Sequence, residues 1–207
     1  MTKGRLEAFS DGVLAIIITI MVLDLKVPQN ADLTALAPLV PVFLSYVLSF
    51  VHVGIYWNNH HHLMQAVRQV DGRILWANMH LLFWLSLTPF VTGWMGATCF
   101  AAWPVAAYGT VLLLAGFAYW VLTRALIAGH GKESALARAV GGDRKGSLSL
   151  LIYAVAIPLS FAEARAACGL YALVAVMWLI PDRRIEATLT QRAPDRTVPT
   201  HAAGPGW

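Results

Sequence analysis

The chain has 207 residues, of which 58% are hydrophobic and only 13% are charged. Soluble domains carry about 25% charged residues, so this composition excludes a water-soluble globular protein and indicates an integral membrane protein. The net charge of +4 does not indicate a nucleic-acid partner, because the Lys and Arg residues are spread over short segments between apolar runs.

Six apolar segments follow one another and predict an all-α, polytopic membrane fold. A bilayer core needs about 20 helical residues, so the first, fifth and sixth segments are short and span only if flanking residues share the membrane depth. We expect a membrane domain at 1–186 with helices at about 7–25, 36–62, 72–97, 101–127, 147–162 and 166–180, followed by a disordered cytoplasmic tail at 187–207.

The connections between these segments predict the orientation. Thirteen of the 15 Lys and Arg residues fall before segment one, between two and three, between four and five, or after six. The other connections hold only Lys26 and Arg165. By the positive-inside rule, we expect a multi-pass protein of the cell inner membrane with both termini cytoplasmic.

Shorter features are predicted within and between the segments. A short helical pattern at 133–140 is expected along the cytoplasmic interface, and the third-to-fourth turn is expected to be tight. Pro89 and Pro158 predict kinks. Cys99 and Cys168 fit neither a zinc pattern nor a disulfide framework, although both fall near the outer face in this topology and their pairing stays open.

The start of the first segment carries the most informative charges, with Arg5 six residues before Asp11. Charges near membrane depth are expensive. One interpretation is that Arg5 extends to the interface and Asp11 caps the first helical turn. The other is a buried polar network that fixes this helix against its neighbours.

Beyond Asp11 the first helix is apolar on every side except at Thr19. Ile16, Ile20 and Leu23 have the i, i+4, i+7 spacing of one helix face. Such a stripe is usually ordinary packing, but in several copies around an axis it narrows a pore with hydrophobic rings.

The second segment ends in a run of three histidines, His60–His62, with His52 two turns earlier. Consecutive side chains on a helix point about 100° apart, and no Cys, Asp or Glu accompanies them at ligand spacing. We therefore expect no metal and no cofactor. A hydrogen-bonding role for His60 is expected instead, with Ser10 or Asp11 as its partner.

Catalytic motifs are absent from the sequence. It has no glycine-rich phosphate loop, no plausible Ser/His/Asp site and no paired intramembrane carboxylates. We predict that the protein is not an enzyme.

The pattern Arg5…Phe9-Ser10-Asp11 before an Ile-rich helix resembles the transmembrane protein 175 family of potassium channels, in its single-repeat bacterial form. Segment 57–61 (Trp-Asn-Asn-His-His) and segment 180–184 (Ile-Pro-Asp-Arg-Arg) also look like family features, so the resemblance covers residues 3 to about 186.

The resemblance implies a homotetramer in the lipid bilayer whose first helices line a central potassium pathway. It implies that Ile16 forms the hydrophobic constriction, with Ile20 and Leu23 as further rings and Thr19 and Asp24 as polar groups near the path. A network of six residues would hold the pore helices together: Arg5, Phe9, Ser10, Asp11, Trp57 and His60.

Two alternatives stay open beside a potassium-permeable channel. The first is a secondary transporter or a small-molecule binder. A transporter usually has midplane ionisable residues or interrupted helices in paired halves, and neither pattern is visible here. A membrane scaffold would conduct nothing, and in that case changing Ile16 to Asn would alter no flux.

Overall fold

The structure, a computed structural model, describes residues 2–65, 67, 69–130 and 143–179, without the side chain of His130. These residues form a helical bundle. Its α-helices are α1 (Lys3–Leu23), α2 (Val40–Gln65), α3 (Gly72–Ser86), α4 (Thr88–Ala97), α5 (Ala102–His130), α6 (Arg144–Ala162) and α7 (Ala164–Leu179). The 3-10 helix Leu33–Leu39 precedes α2. The short helix expected at 133–140 and the tail at 187–207 lie outside the described residues.

Helices α3 and α4 are separated by Leu87 alone and together form one candidate membrane span, Gly72–Ala97. The described bundle therefore has six helical segments, which confirms the predicted all-α polytopic fold. Five segments are long and apolar enough to cross a membrane, including α1 with 21 residues and α6 with 19. Within the described residues, which end at Leu179, α7 has 16 residues and is the one segment below the length of a membrane span. Compared with the expected bounds, α1 begins at Lys3 instead of residue 7, and α6 begins at Arg144 instead of residue 147.

The break between α3 and α4 has a local cause in Pro89. Proline has no N–H, so it cannot continue the hydrogen-bond ladder of α3, and it is well tolerated in the first turn of a new helix. Pro89 lies in that first turn of α4. Pro158, by contrast, lies inside α6, which continues to Ala162.

A turn of four residues, 98–101, joins α4 to α5. Cys99 and Phe100 both have positive φ angles, 51° and 62°. L-residues rarely adopt this left-handed conformation because the side chain crowds the backbone. Two successive residues of this kind reverse the chain within a short distance, so this connection is as tight as expected.

Two clusters of buried apolar side chains form the core. The first joins α1, α2, α3 and part of α5, and the second joins α4, the other part of α5, α6 and α7. Helix α5 takes part in both, so it is the central element on which the two halves of the subunit pack.

Two glycines allow helices to approach closely. A Cβ atom at Gly96 would lie 2.5 Å from Ser45 Oγ and 2.8 Å from Val42 Cα, and one at Gly109 would collide with the ring and hydroxyl of Tyr171. Small residues at helix contacts are typical of membrane bundles, where close packing replaces the hydrophobic effect as the source of association. These positions fix the α2–α4 and α5–α7 distances.

Candidate functional site

Helix α1 has one buried face. Its buried residues recur every three or four positions, which is the spacing of a single helix face. They are Leu6, Ser10, Leu14, Ile17 and Met21. This face is part of the first core cluster, and α1 packs against α2, α3 and α4.

The opposite face of α1 is apolar and exposed. Ile16 is 60% exposed, Ile20 46% and Leu23 77%. The Thr19 hydroxyl, also on this side, donates a 2.8 Å hydrogen bond to the Ala15 carbonyl of its own helix. The three residues predicted as pore rings therefore share a face that this subunit leaves uncovered.

The buried face of α1 is held by a polar chain that joins three helices. His60 Nε2 donates to Asn78 Oδ1 over 2.8 Å, and Asn78 Nδ2 donates to Ser10 Oγ over 3.0 Å. Ser10 in turn donates to the Leu6 carbonyl over 2.9 Å. All three side chains are at most 2% exposed. The hydrogen-bond partner of His60 is therefore Asn78 on α3, and not Ser10 or Asp11 as expected. Asn78 in turn connects His60 on α2 to Ser10 on α1.

The sequence interpretation did not assign Asn78 to this network. A signal was available, because an amide in the middle of an apolar membrane helix is costly unless it finds a partner. What the sequence lacks is the packing of α3 on α1, which brings Asn78 within reach of both Ser10 on α1 and His60 on α2.

Asp11 makes a second link between α1 and α2. Trp57 Nε1 donates to Asp11 Oδ1 over 3.0 Å, and the Trp57 ring stacks on His61 with centroids 6.0 Å apart. Because α1 begins at Lys3, Asp11 lies in its third turn, and the suggestion that it caps the first turn is wrong.

Arg5 and Phe9 do not join these hydrogen bonds. Both are exposed at the start of α1, and in the described part of the chain Arg5 forms no ion pair. The nearby ion pair is that of Lys3 with Glu7, at 3.8 Å. Their place in the network stays a prediction that a single subunit does not test.

The histidine run presents its rings in different directions. His60 points inward to Asn78. His61 instead stacks on the Trp57 ring, and its Nε2 lies 2.9 Å from Gln65 Nε2, within hydrogen-bond distance. Among the described residues, no three His, Cys, Asp or Glu side chains group as metal ligands.

Asp24 lies directly after α1, exposed, at the end where Leu23 is uncovered. A Cβ atom at Gly93 would lie 3.2 Å from Asp24 Oδ2, so the carboxylate rests against the backbone of α4. The glycine leaves room for a charged group at this end of the exposed face.

A second polar cluster lies deeper in the subunit and was not anticipated from the sequence. Ser49 and Thr92 hydroxyls are 2.7 Å apart, and Ser49 also donates to the Tyr108 hydroxyl over 3.2 Å. Tyr108 lies 3.4 Å from His52 Nδ1, and the Thr92 hydroxyl is 3.9 Å from the Met21 sulfur. The cluster joins α2, α4 and α5 behind the buried face of α1.

Comparison with known proteins gives the same family as the motif. The model of the family described as endosomal/lysosomal potassium channel TMEM175 matches residues 5–89. A protein of Chryseobacterium sp. named a potassium channel is 54% identical over 92% of this chain and 100% of its own length. The human protein named endosomal/lysosomal proton channel TMEM175 is 40% identical over 45% of this chain and 20% of its own length.

A solved structure agrees with these relatives. The crystal structure of a homologue of the lysosomal potassium-selective channel TMEM175, from Chamaesiphon minutus, superposes with a TM-score of 0.75 at 28% identity. The match covers 88% of this chain and 97% of that one. The resemblance drawn from Arg5…Phe9-Ser10-Asp11 is therefore confirmed, and the chain belongs to the TMEM175 family.

Proposed function

We propose that the chain is a potassium-permeable cation channel in which several copies surround an axis and the exposed face of α1 lines the conduction path. The observation that carries this proposal is the contrast on α1, where Ile16, Ile20 and Leu23 are uncovered while the opposite face is buried and hydrogen-bonded. As a member of an ion-channel family, the chain is not an enzyme, as its sequence predicts.

Facing rings of isoleucine and leucine restrict ions by their apolar character. A narrow apolar constriction empties of water, and an ion that passes loses its hydration without replacement ligands. Ile16 is the proposed narrowest ring, with Ile20 and Leu23 toward the other end of α1. Polar groups bordering this path are Thr19, whose oxygen keeps a lone pair free, and Asp24, which raises the local cation concentration.

The polar residues of the first-helix motif serve this path indirectly. Ser10 and Asp11 are engaged with Asn78 and Trp57 inside the subunit. We propose that they fix the rotation of α1, so that the isoleucine face and not the serine face is presented to the axis.

The proposed assembly is a homotetramer in the bilayer. A single copy leaves the α1 face open, and closed cyclic symmetry brings identical faces together around an axis. Native mass spectrometry of the detergent-released protein should give a species with four chains. Monomers or dimers alone, released in several mild detergents, contradict the assembly.

The proposed location is the cell inner membrane with both termini in the cytoplasm, as the distribution of Lys and Arg predicts. Cys99 is exposed in the turn between α4 and α5, which lies opposite the predicted cytoplasmic side. In a Cys168→Ala background, a membrane-impermeant maleimide should label Cys99 in intact spheroplasts. Labelling only after permeabilisation would reverse the orientation.

The test of function is ion flux through purified protein in liposomes, with potassium, sodium and a large organic cation compared. We expect flux that favours potassium, and Ile16→Asn should raise it because an amide wets the constriction. Leu151→Asn is the matched control, since Leu151 is 61% exposed on α6, close to the 60% of Ile16.

Each outcome separates one part of the proposal. Equal effects of the two Asn variants, or no effect of Ile16→Asn, contradict the assigned constriction. Absence of flux from folded, assembled protein contradicts the channel and favours a scaffold. Saturating flux coupled to a second ion favours a transporter.

Proton permeation is the second candidate, because the human relative is named a proton channel. The same liposomes report it through a pH-sensitive dye under a proton gradient. Proton flux that persists without potassium flux favours this candidate over the first.

A further inference from the structure

A groove lies at the end of the subunit where α1 leads into α2. The space inside it is about 360 Å³, and ligand pockets commonly have volumes of about 300–1,000 Å³. Its walls come from the two residues after Asp24, from the 3-10 helix and from the first turn of α2. Apart from Lys26, the described residues that line it are all apolar. The groove therefore suits an apolar ligand that carries a charge at one end.

The position of the groove matches the border between hydrocarbon and headgroups. Helix α1 ends at Leu23, and the next candidate membrane span begins at Leu33. The ends of spanning helices lie where the hydrocarbon core meets the polar headgroups. A lipid in this leaflet thus has its acyl chains beside the apolar walls and its headgroup level with Lys26.

An exposed apolar strip continues from the groove along α2. Phe43, Val47 and Phe50 are 53%, 39% and 45% exposed, and their i, i+4, i+7 spacing places them on one helix face. The strip runs for about 10 Å from the start of α2 toward its middle, at 1.5 Å per residue. An acyl chain follows this direction when its headgroup stays at the interface.

The charge on Lys26 has no partner within the subunit. Lys26 is exposed, and in the described part of the chain it forms no ion pair. Asp24 and Asp32 belong to the same connection, but neither lines the groove, and Asp24 rests against α4. An ammonium group at the membrane surface attracts anionic headgroups.

This charge decides which lipid is preferred. Lipid tails are as apolar as leucine side chains, so a tail gains little by leaving the surrounding bilayer for an apolar groove. Attraction of one Lys to an anionic lipid corresponds to about a fivefold preference over a lipid without net charge.

We propose that the groove binds one anionic phospholipid, with an acyl chain along the strip on α2 and the phosphate at Lys26. None of the three residues of the proposed pore rings lines the groove. The lipid site therefore stands whether or not the chain conducts potassium.

The test is native mass spectrometry of the full chain in detergent, titrated with phosphatidylglycerol or with phosphatidylcholine of the same acyl chains. We expect phosphatidylglycerol to bind about fivefold more tightly. Glycerol phosphate, which has the charged group without the chains, should not displace it. The extra phosphatidylglycerol bound by the wild type, compared with Lys26→Gln, should saturate at one lipid per chain.

Four variants locate the two parts of the site. Lys26→Gln should reduce the affinity for phosphatidylglycerol to that for phosphatidylcholine, and Lys26→Arg should keep the preference. Arg165→Gln is the matched control, because Arg165 is the other cation predicted on this side, is exposed and does not line the groove. Val40→Trp, at a position 49% exposed, fills the groove and should weaken the binding of both lipids.

Several results would overturn the proposal. They are equal affinity for the two lipids, a preference that survives in Lys26→Gln, equal losses in Lys26→Gln and Arg165→Gln, and unchanged binding in Val40→Trp. A second copy of the chain is the competing occupant. With Cys99 and Cys168 replaced by alanine, disulfide-linked pairs of a Val40→Cys variant in native membranes would show that another copy covers the groove. None of these measurements involves flux, so their failure leaves the channel proposal untouched.

Discussion

The two faces of α1 carry similar side chains in opposite surroundings. Ile17 is 3% exposed and packs in the first core cluster, whereas its neighbour Ile16 is 60% exposed. The buried face also carries Ser10, which bonds to another helix, while Thr19 on the exposed face bonds only to its own. Hydrophobicity therefore does not distinguish the faces. The distinction comes from what each face contacts, so one substitution should have different effects at adjacent positions.

The largest effect is expected at Ile17. Ile17→Asn removes a buried apolar side chain and leaves an amide without a partner, which should lower the free energy of unfolding by about 4 kcal/mol. SDS titration of the detergent-solubilised protein measures this change. Ile16→Asn should alter that free energy by less than about 1 kcal/mol, because its side chain is uncovered. Equal losses at both positions would mean that the exposed face is buried in the protein under assay.

A smaller loss is expected where the buried face is anchored. Asn78→Leu keeps the side-chain size but deprives His60 and Ser10 of their partner, and the unpaired imidazole should lower the free energy of unfolding by about 3 kcal/mol. The same SDS titration applies. Asn58→Leu, at an exposed position on α2, serves as control and should be near neutral. A neutral Asn78→Leu would show that the polar chain contributes no stability.

The smallest loss of stability is expected at Trp57, which contacts Asp11 at the border between the buried and the exposed face of α1. Trp57→Phe removes the bond to exposed Asp11 but keeps an aromatic ring, and it should lower the free energy of unfolding by about 1 kcal/mol. Trp76→Phe is the control, because Trp76 is exposed on α3. If Trp57 fixes the rotation of α1, its variant should also change potassium flux while the control does not. Unchanged potassium flux in the Trp57→Phe variant would mean that Trp57 makes only a small contribution to stability and does not set the rotation of α1.

Part of the site was predictable from the sequence. Six residues were expected to hold helices together. Four of them, Ser10, Asp11, Trp57 and His60, hydrogen-bond to another helix, with Ser10 and His60 joined through Asn78. Arg5 and Phe9 stay predictions. A charged or polar residue at membrane depth needs a partner, which makes such residues conspicuous in an apolar sequence.

The second polar cluster was not predictable in the same way. Ser49, Thr92 and Tyr108 are common residues in membrane helices, and Ser and Thr hydroxyls there usually bond to a carbonyl of their own helix. Thr92 does bond to the Thr88 carbonyl over 2.6 Å, so its additional contact with Ser49 follows only from the packing of α4 on α2.

The sequence by itself determined the membrane environment, the six helical segments and the family. Helix length, apolar composition and Arg5…Phe9-Ser10-Asp11 are local properties of the chain. Tertiary structure decided which side of α1 is buried and that Asn78 joins His60 to Ser10. The physical reason is that α1 is apolar around nearly its whole circumference. Its rotation is therefore set by contacts with α2 and α3, between residues distant in the chain.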